Sequence, residues 1–123
     1  MVTGGHQKLA RTSVELLSTD GTRLCSLPNL PEKRYYHSQT GVLACGGGVG
    51  SGQPGLQTCS TFAGGRWKKS HTLGIKRNAH TAWASSQGVF IMGGSFNTQS
   101  TELLNDNGGA TATPSFTLKN KRR

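Results

Sequence analysis

The chain repeats itself at a spacing near 45 residues, and a repeat of that length restricts the fold more than any other feature. Aligning Arg23-Leu24 on Arg66-Trp67 needs a shift of 43 residues. The same shift carries Gly21 onto Gly64, Leu30 onto Leu73, Arg34 onto Arg77 and His37 onto His80. A shift of 47 then takes Gly41-Val42-Leu43 onto Gly88-Val89-Phe90, and Gly46-Gly47 onto Gly93-Gly94. The four-residue change falls between His80 and Gly88, where a loop absorbs it. Over 87 residues, Ser13-Val14-Glu15-Leu16-Leu17 returns as Ser100-Thr101-Glu102-Leu103-Leu104, with Thr58-Cys59-Ser60-Thr61-Phe62 as a poorer copy between them.

Within each period the residues read as short strands. Tyr35 to Thr40 is β-prone, and Val42 to Cys45 is a compact apolar run ending in glycines. Thr58 to Ala63 is Thr-rich and extended, and Arg66 to Ser70 follows a Gly64-Gly65 pair typical of a tight hairpin. The next period repeats the series as Ala79 to Ala84, Val89 to Met92, Ser100 to Leu104 and Ser115 to Lys119. No segment sustains helical periodicity, although Val14 to Leu17 alone fits either state. The expectation is an all-β chain built from four-stranded antiparallel units.

Composition agrees. Eighteen glycines and only 15% charged residues do not suit a coiled coil or helical bundle. No apolar run exceeds the length of Val89 to Met92, far short of the ~18 residues of a membrane-spanning helix. The net charge of +9 raises nucleic acid as a partner. Its distribution argues otherwise. Lys119, Lys121, Arg122 and Arg123 form a basic tail, and the other cations occur in small groups such as Lys33-Arg34, Arg66 with Lys68-Lys69, and Lys76-Arg77. These read as solvated loops, with no arginine-rich helix and no RNA-binding signature. There is thus no strong nucleic-acid signal, although binding through the basic surface stays as a third hypothesis, and no membrane partner is expected.

Cys25, Cys45 and Cys59 show no zinc-type spacing. One reading makes all three buried free thiols. The other pairs Cys45 with Cys59 and leaves Cys25 over. A bridge favours a secreted protein, and three thiols favour the cytoplasm. Met1 to Gly5 lacks the apolar stretch of a signal peptide, and no Asn-X-Ser/Thr sequon occurs.

The motifs Arg34-x-x-His37 with Gly41-Val42-Leu43-Ala44-Cys45-Gly46-Gly47, and Arg77-x-x-His80 with Gly88-Val89-Phe90-Ile91-Met92-Gly93-Gly94, resemble kelch repeats of the galactose-oxidase-like β-propeller superfamily. In that family an apolar strand ends in a double glycine, and a Tyr and a Trp follow on the next two strands. Here the Trp position is filled by Trp67 and, in the first repeat, by Leu24; Phe62, Leu16 and Leu103 stand at the Tyr position. The resemblance implies propeller blades, with Arg34, His37, Gly46, Gly47, Trp67, Arg77, His80, Gly93 and Gly94 in structural roles. Glu15 and Glu102 sit at equivalent strand positions, where a carboxylate is usually exposed; the alternative pairs Glu102 with Arg77.

At about 45 residues per blade the chain holds roughly two and a half blades of an incomplete ring. The expected units are a blade remnant over 1–30, blades over 34–73 and 77–118, and a basic tail over 119–123. The leading reading is a fragment of a longer propeller; ring completion by other chains and a small open β protein are the alternatives.

Two catalytic readings arise from the motifs. Gly50-x-Gly52-x-x-Gly55 matches a dinucleotide fingerprint formally, but Leu56 to Phe62 reads as strand where a helix is needed. A remnant of a galactose-oxidase-like copper enzyme is the alternative function. It would require a Tyr cross-linked to Cys, a second Tyr and two His, whereas Tyr35 and Tyr36 are adjacent and strand alternation would point them to opposite faces. His6 and His71 read as loop residues. The expectation is therefore a non-catalytic module without cofactor or metal. It would bind an unidentified protein partner through the loops Gly48 to Gln57 and Phe96 to Ser100.

Overall fold

Short β-prone segments broken by glycine turns pair only with their near neighbours in the chain. A computed structural model describes residues 1–5, 10–50, 53, 55–95 and 99–113. Among them there is no helix, and the strands form three antiparallel sheets, none closed.

The first sheet orders β1 (Val2–Thr3), β2 (Val14–Leu17) and β3 (Leu24–Leu27) consecutively. The second runs β4 (Ser38–Thr40), β5 (Leu43–Cys45), β6 (Leu56–Ala63) and β7 (Arg66–Arg77). The third runs β8 (Thr81–Ser85), β9 (Gly88–Met92), β10 (Thr101–Leu104) and β11 (Ala110–Ala112). Gly64 and Gly65, at φ +61° and +79°, make the β6–β7 turn, whose two central residues both take the left-handed conformation.

Apolar side chains fill the two spaces between sheets. Val14 and Leu30 meet Ala44 and Trp67 between the first and second sheets, with Leu27 and Phe62 at the margin. Leu43, Cys45, Cys59 and Leu73 meet Ile91 and Leu104 between the second and third.

Several strand limits differ from the sequence reading. β7 does not stop at Ser70 but continues to Arg77, because Leu56 at the start of β6 pairs with Arg77 beyond an irregularity in the register that follows Thr72. His71 is therefore a strand residue, bonded through Nε2 to the Asn105 carbonyl at 3.0 Å. The fourth strand of the third sheet is Ala110–Ala112, because a turn at Asn105–Gly109 returns the chain directly onto β10. The segment from Ser115 to Lys119 and the 119–123 tail lie outside the described residues. Tyr35 and Tyr36 precede β4 rather than belonging to it. Tyr36 takes φ +52°, and its ring lies 5.2 Å from that of Tyr35, so the two are not on opposite faces of a strand. Val42 sits exposed in the turn before β5.

Candidate functional site

Two arginines join the sheets. The Arg34 side chain is fully buried, and its Nη1 donates to the carbonyls of Gly46 (2.7 Å) and Thr58 (3.0 Å) in the second sheet. Its own carbonyl accepts from the Gly5 N–H, at the end of the first sheet, at 3.0 Å. Arg77 repeats the arrangement one sheet on. Its Nη1 donates to Gly93 and Ser100 carbonyls, both at 2.9 Å, and its carbonyl accepts from Gly47 N–H at 2.7 Å. Each arginine ties the glycine pair of one sheet to that of the next. The reading of Lys33-Arg34 and Lys76-Arg77 as solvated pairs is thus corrected. Only the lysines can be solvated, because the guanidinium fork is the group that satisfies several converging carbonyls at once.

The two junctions differ in one respect. Arg77 Nε donates to Glu102 at 2.9 Å, and the other oxygen of that carboxylate accepts from the Gly74 N–H at 2.5 Å. In the second sheet Ser60 stands where Glu102 would be, and Pro31, which has no N–H, stands in place of Gly74. Arg34 Nε has no hydrogen-bond partner among the described residues. Burial pushes the Arg34 pKa down, and the charge of Glu32 partly opposes that.

The histidines serve the same junctions. His37 Nε2 lies 2.7 Å from Thr3 Oγ1, and His80 Nε2 lies 2.8 Å from Ser38 Oγ, each contact crossing from one sheet to the next. Burial and the neighbouring Arg34 charge lower the His37 pKa to about 4, so the ring is neutral at pH 7. The glycines are held in the left-handed region, with Gly46 at φ +62°, Gly47 at +99°, Gly93 at +66° and Gly94 at +118°. Trp67 packs against Phe62 at 5.5 Å, and its buried Nε1 finds no acceptor among the described residues.

Cys45 and Cys59 lie directly opposite each other on β5 and β6 and form a disulfide. Three buried thiols are therefore ruled out. The register brings those two Cα atoms to 4.0 Å, and Cys25 is free and exposed on β3. The bridge is compatible with an extracellular location.

The remaining candidates separate. The loop from Gly48 is anchored by Tyr35, whose backbone bonds Gly48 and whose hydroxyl donates to the Gly50 carbonyl at 3.0 Å. Residues 51, 52 and 54 of that loop, residues 96–98 of the second loop, and His6 lie outside the described residues. The Gly50-x-Gly52-x-x-Gly55 run leads into strand β6, so no helix N-terminus faces a phosphate there. Among the described residues, no three His, Cys, Asp or Glu side chains converge as metal ligands.

The outer face of the first sheet is apolar and uncovered. Leu17 is 50% exposed and Leu24 61%, although they are paired across β2 and β3 just as Phe62 and Trp67 are across β6 and β7. A shallow depression of about 370 Å³ at this end is lined by Leu16, Leu17, Arg23 and Cys25. At the other end, Trp83 is 55% exposed and stacks on Phe90 at 5.7 Å. The sequence did not mark these surfaces, because an apolar strand residue carries no sign of whether a neighbour covers it. No protein-family model matches the chain, and no curated protein matches it.

Proposed function

We propose that the three sheets are successive blades of a kelch-like β-propeller and that the chain is a non-catalytic protein-interaction module. The observation that carries the reading is the recurrence of one junction. Arg34 and Arg77 make the same backbone bonds to the second and third sheets, and His37 and His80 sit against Gly4 and Gly46 in the same way. Such junctions fix the angle between stacked sheets, and a fixed angle repeated generates a ring. Rigid sheets then flank corresponding connections, β5–β6 and β9–β10; the first ends at Gly55, since Leu56 and Gln57 belong to β6. Binding residues concentrate on loops held by a rigid frame. Three sheets fall short of the four or more blades of known rings, so the remaining faces call for further blades.

A photo-crosslinking residue placed at Gln53 tests this, with Lys68 on the solvent side of β7 as control. The expected result is a saturable protein adduct from Gln53 and none from Lys68. Equal labelling from both positions, or none from either, overturns the reading.

A further inference from the structure

The third sheet shows what a filled arginine site looks like, and the first sheet carries the same site unfilled. Gly4 N–H bonds to the Ser13 carbonyl at 3.0 Å, Gly46 N–H to Thr58 at 3.0 Å and Gly93 N–H to Ser100 at 3.2 Å. Gly4 and Ser13 therefore stand where Gly93 and Ser100 receive Arg77. Glu15 stands where Glu102 does, since Val2 pairs with Glu15 as Ile91 pairs with Glu102. The difference is burial. Glu102 is 3% exposed and bound to Arg77, whereas Glu15 is exposed and its carboxylate has no hydrogen-bond or ion-pair partner among the described residues.

The face around Glu15 is the apolar one. Val14 and Leu27 point towards the second sheet, so by strand alternation Glu15, Leu17 and Leu24 point away from it. This face has a carboxylate, two backbone acceptors and two exposed leucines.

The sequence holds one further segment of the type that fills such a site. Arg34 and Arg77 both end the pattern Leu-x-x-Lys-Arg, at Leu30 to Arg34 and Leu73 to Arg77. The pattern occurs a third time, as Leu118-Lys119-Asn120-Lys121-Arg122, 45 residues after the second. In the alignment of the three patterns Lys119 falls on Gly74 and Pro31, and like Gly74 it has the N–H that proline lacks. Arg34 follows β3 and Arg77 ends β7, and each side chain enters the next sheet. Arg122 comes after the third sheet in sequence, and that sheet's outer face presents the exposed Trp83.

We propose that copies of this chain associate head to tail, with Arg122 of one copy entering the Gly4–Ser13–Glu15 site of the next and the third sheet stacking on the Leu17–Leu24 face. The contact is heterologous: each copy offers a different surface at each end, so association continues until a ring closes. The proposal rests on the internal repeat, and it deepens the module reading by naming the partner at one face. The loop crosslinks at Gln53 involve other residues, so failure of one leaves the other standing.

Sedimentation velocity of the 123-residue chain across a concentration series is the test. The wild type is expected to form species larger than the monomer. Glu15→Lys and Arg122→Ala should each weaken association by roughly 30-fold or more, the scale for losing one side of a buried charge pair. A mixture of the two variants should form a heterodimer that grows no further, since one supplies an intact tail and the other an intact site. Circular dichroism checks that each variant keeps its strand signal, and Glu15→Gln replaces Glu15→Lys if that variant misfolds. A wild type that stays monomeric, variants that associate like wild type, or a mixture that gives no heterodimer each overturn the proposal.

Discussion

Arg77 and Glu102 form an ion pair at 2.9 Å with both side chains buried between the second and third sheets. The pair is completed by bonds from Arg77 to Gly93 and Ser100 and from Gly74 to the carboxylate, which leaves few unsatisfied groups. Removing one partner strands the other charge in a dry site. Glu102→Ala is expected to cost about 3–5 kcal/mol in a denaturant melt. Glu102→Gln keeps an oxygen for one of the two donors and should cost less. A loss below about 1 kcal/mol for Glu102→Ala would mean that water reaches Arg77 freely.

Gly46 is fixed by what surrounds it. At φ +62° a Cβ would lie 2.6 Å from His80 Cε1 and 2.8 Å from the Arg77 carbonyl oxygen. The carbonyl belongs to a backbone already bonded to Gly47 and cannot withdraw. Gly46→Ala therefore combines left-handed strain with overpacking, for a loss of roughly 2–5 kcal/mol. Gly64, at φ +61° with nothing within 4 Å of a Cβ, is the control. Gly64→Asn should be near neutral, because Asn tolerates that conformation. Similar melting temperatures for the two variants would show that the His80 and Arg77 contacts do not limit position 46.

The frame of the molecule was legible because its turns and junctions recur. Gly46-Gly47, Gly93-Gly94 and the two Arg-x-x-His motifs repeat in sequence since each makes the same backbone bonds. The Arg77–Glu102 pair was legible only as the less favoured of two readings, because a strand carboxylate is usually exposed, as Glu15 is. What the sequence hid depends on distant partners. The extension of β7 to Arg77 follows from where β6 begins, and the short Ala110–Ala112 strand follows from a turn five residues long. The burial of Arg34 was masked by its neighbour Lys33, which is exposed. Leu17 and Leu24 look like core residues and are exposed because no sheet covers them.

The Cys45–Cys59 bridge links adjacent strands whose sulfurs are buried in the core between the second and third sheets. It closes a short loop, so its chain-entropy contribution is about 2–4 kcal/mol. A Cys45→Ala/Cys59→Ala double variant should lose stability of that order. Without reductant, native alkylation should add one group only, at the exposed Cys25. Two or three adducts on the native protein would show that the bridge does not form.

His37 makes stability depend on pH with a definite sign. In the unfolded chain its ring takes a proton near 6.5, whereas in the fold it resists until about 4, chiefly because it is buried and secondly because Arg34 is charged. The unfolded state therefore binds the extra proton throughout that window. The contribution is complete above about pH 6.5 and is lost as pH falls towards 4, at up to about 1.4 kcal/mol per pH unit. Asp20, drawn down to about 2 by bonds from Ser18 and Thr22, acts only below its unfolded value of 3.8 and does not overlap. Urea midpoints at pH 7.5 and 4.5 should differ in the wild type by more than they do in a His37→Gln variant. The Gln amide can still bond the Thr3 hydroxyl but cannot titrate. Equal differences in the two proteins would place the pH dependence on other groups and leave His37 protonating as readily folded as unfolded.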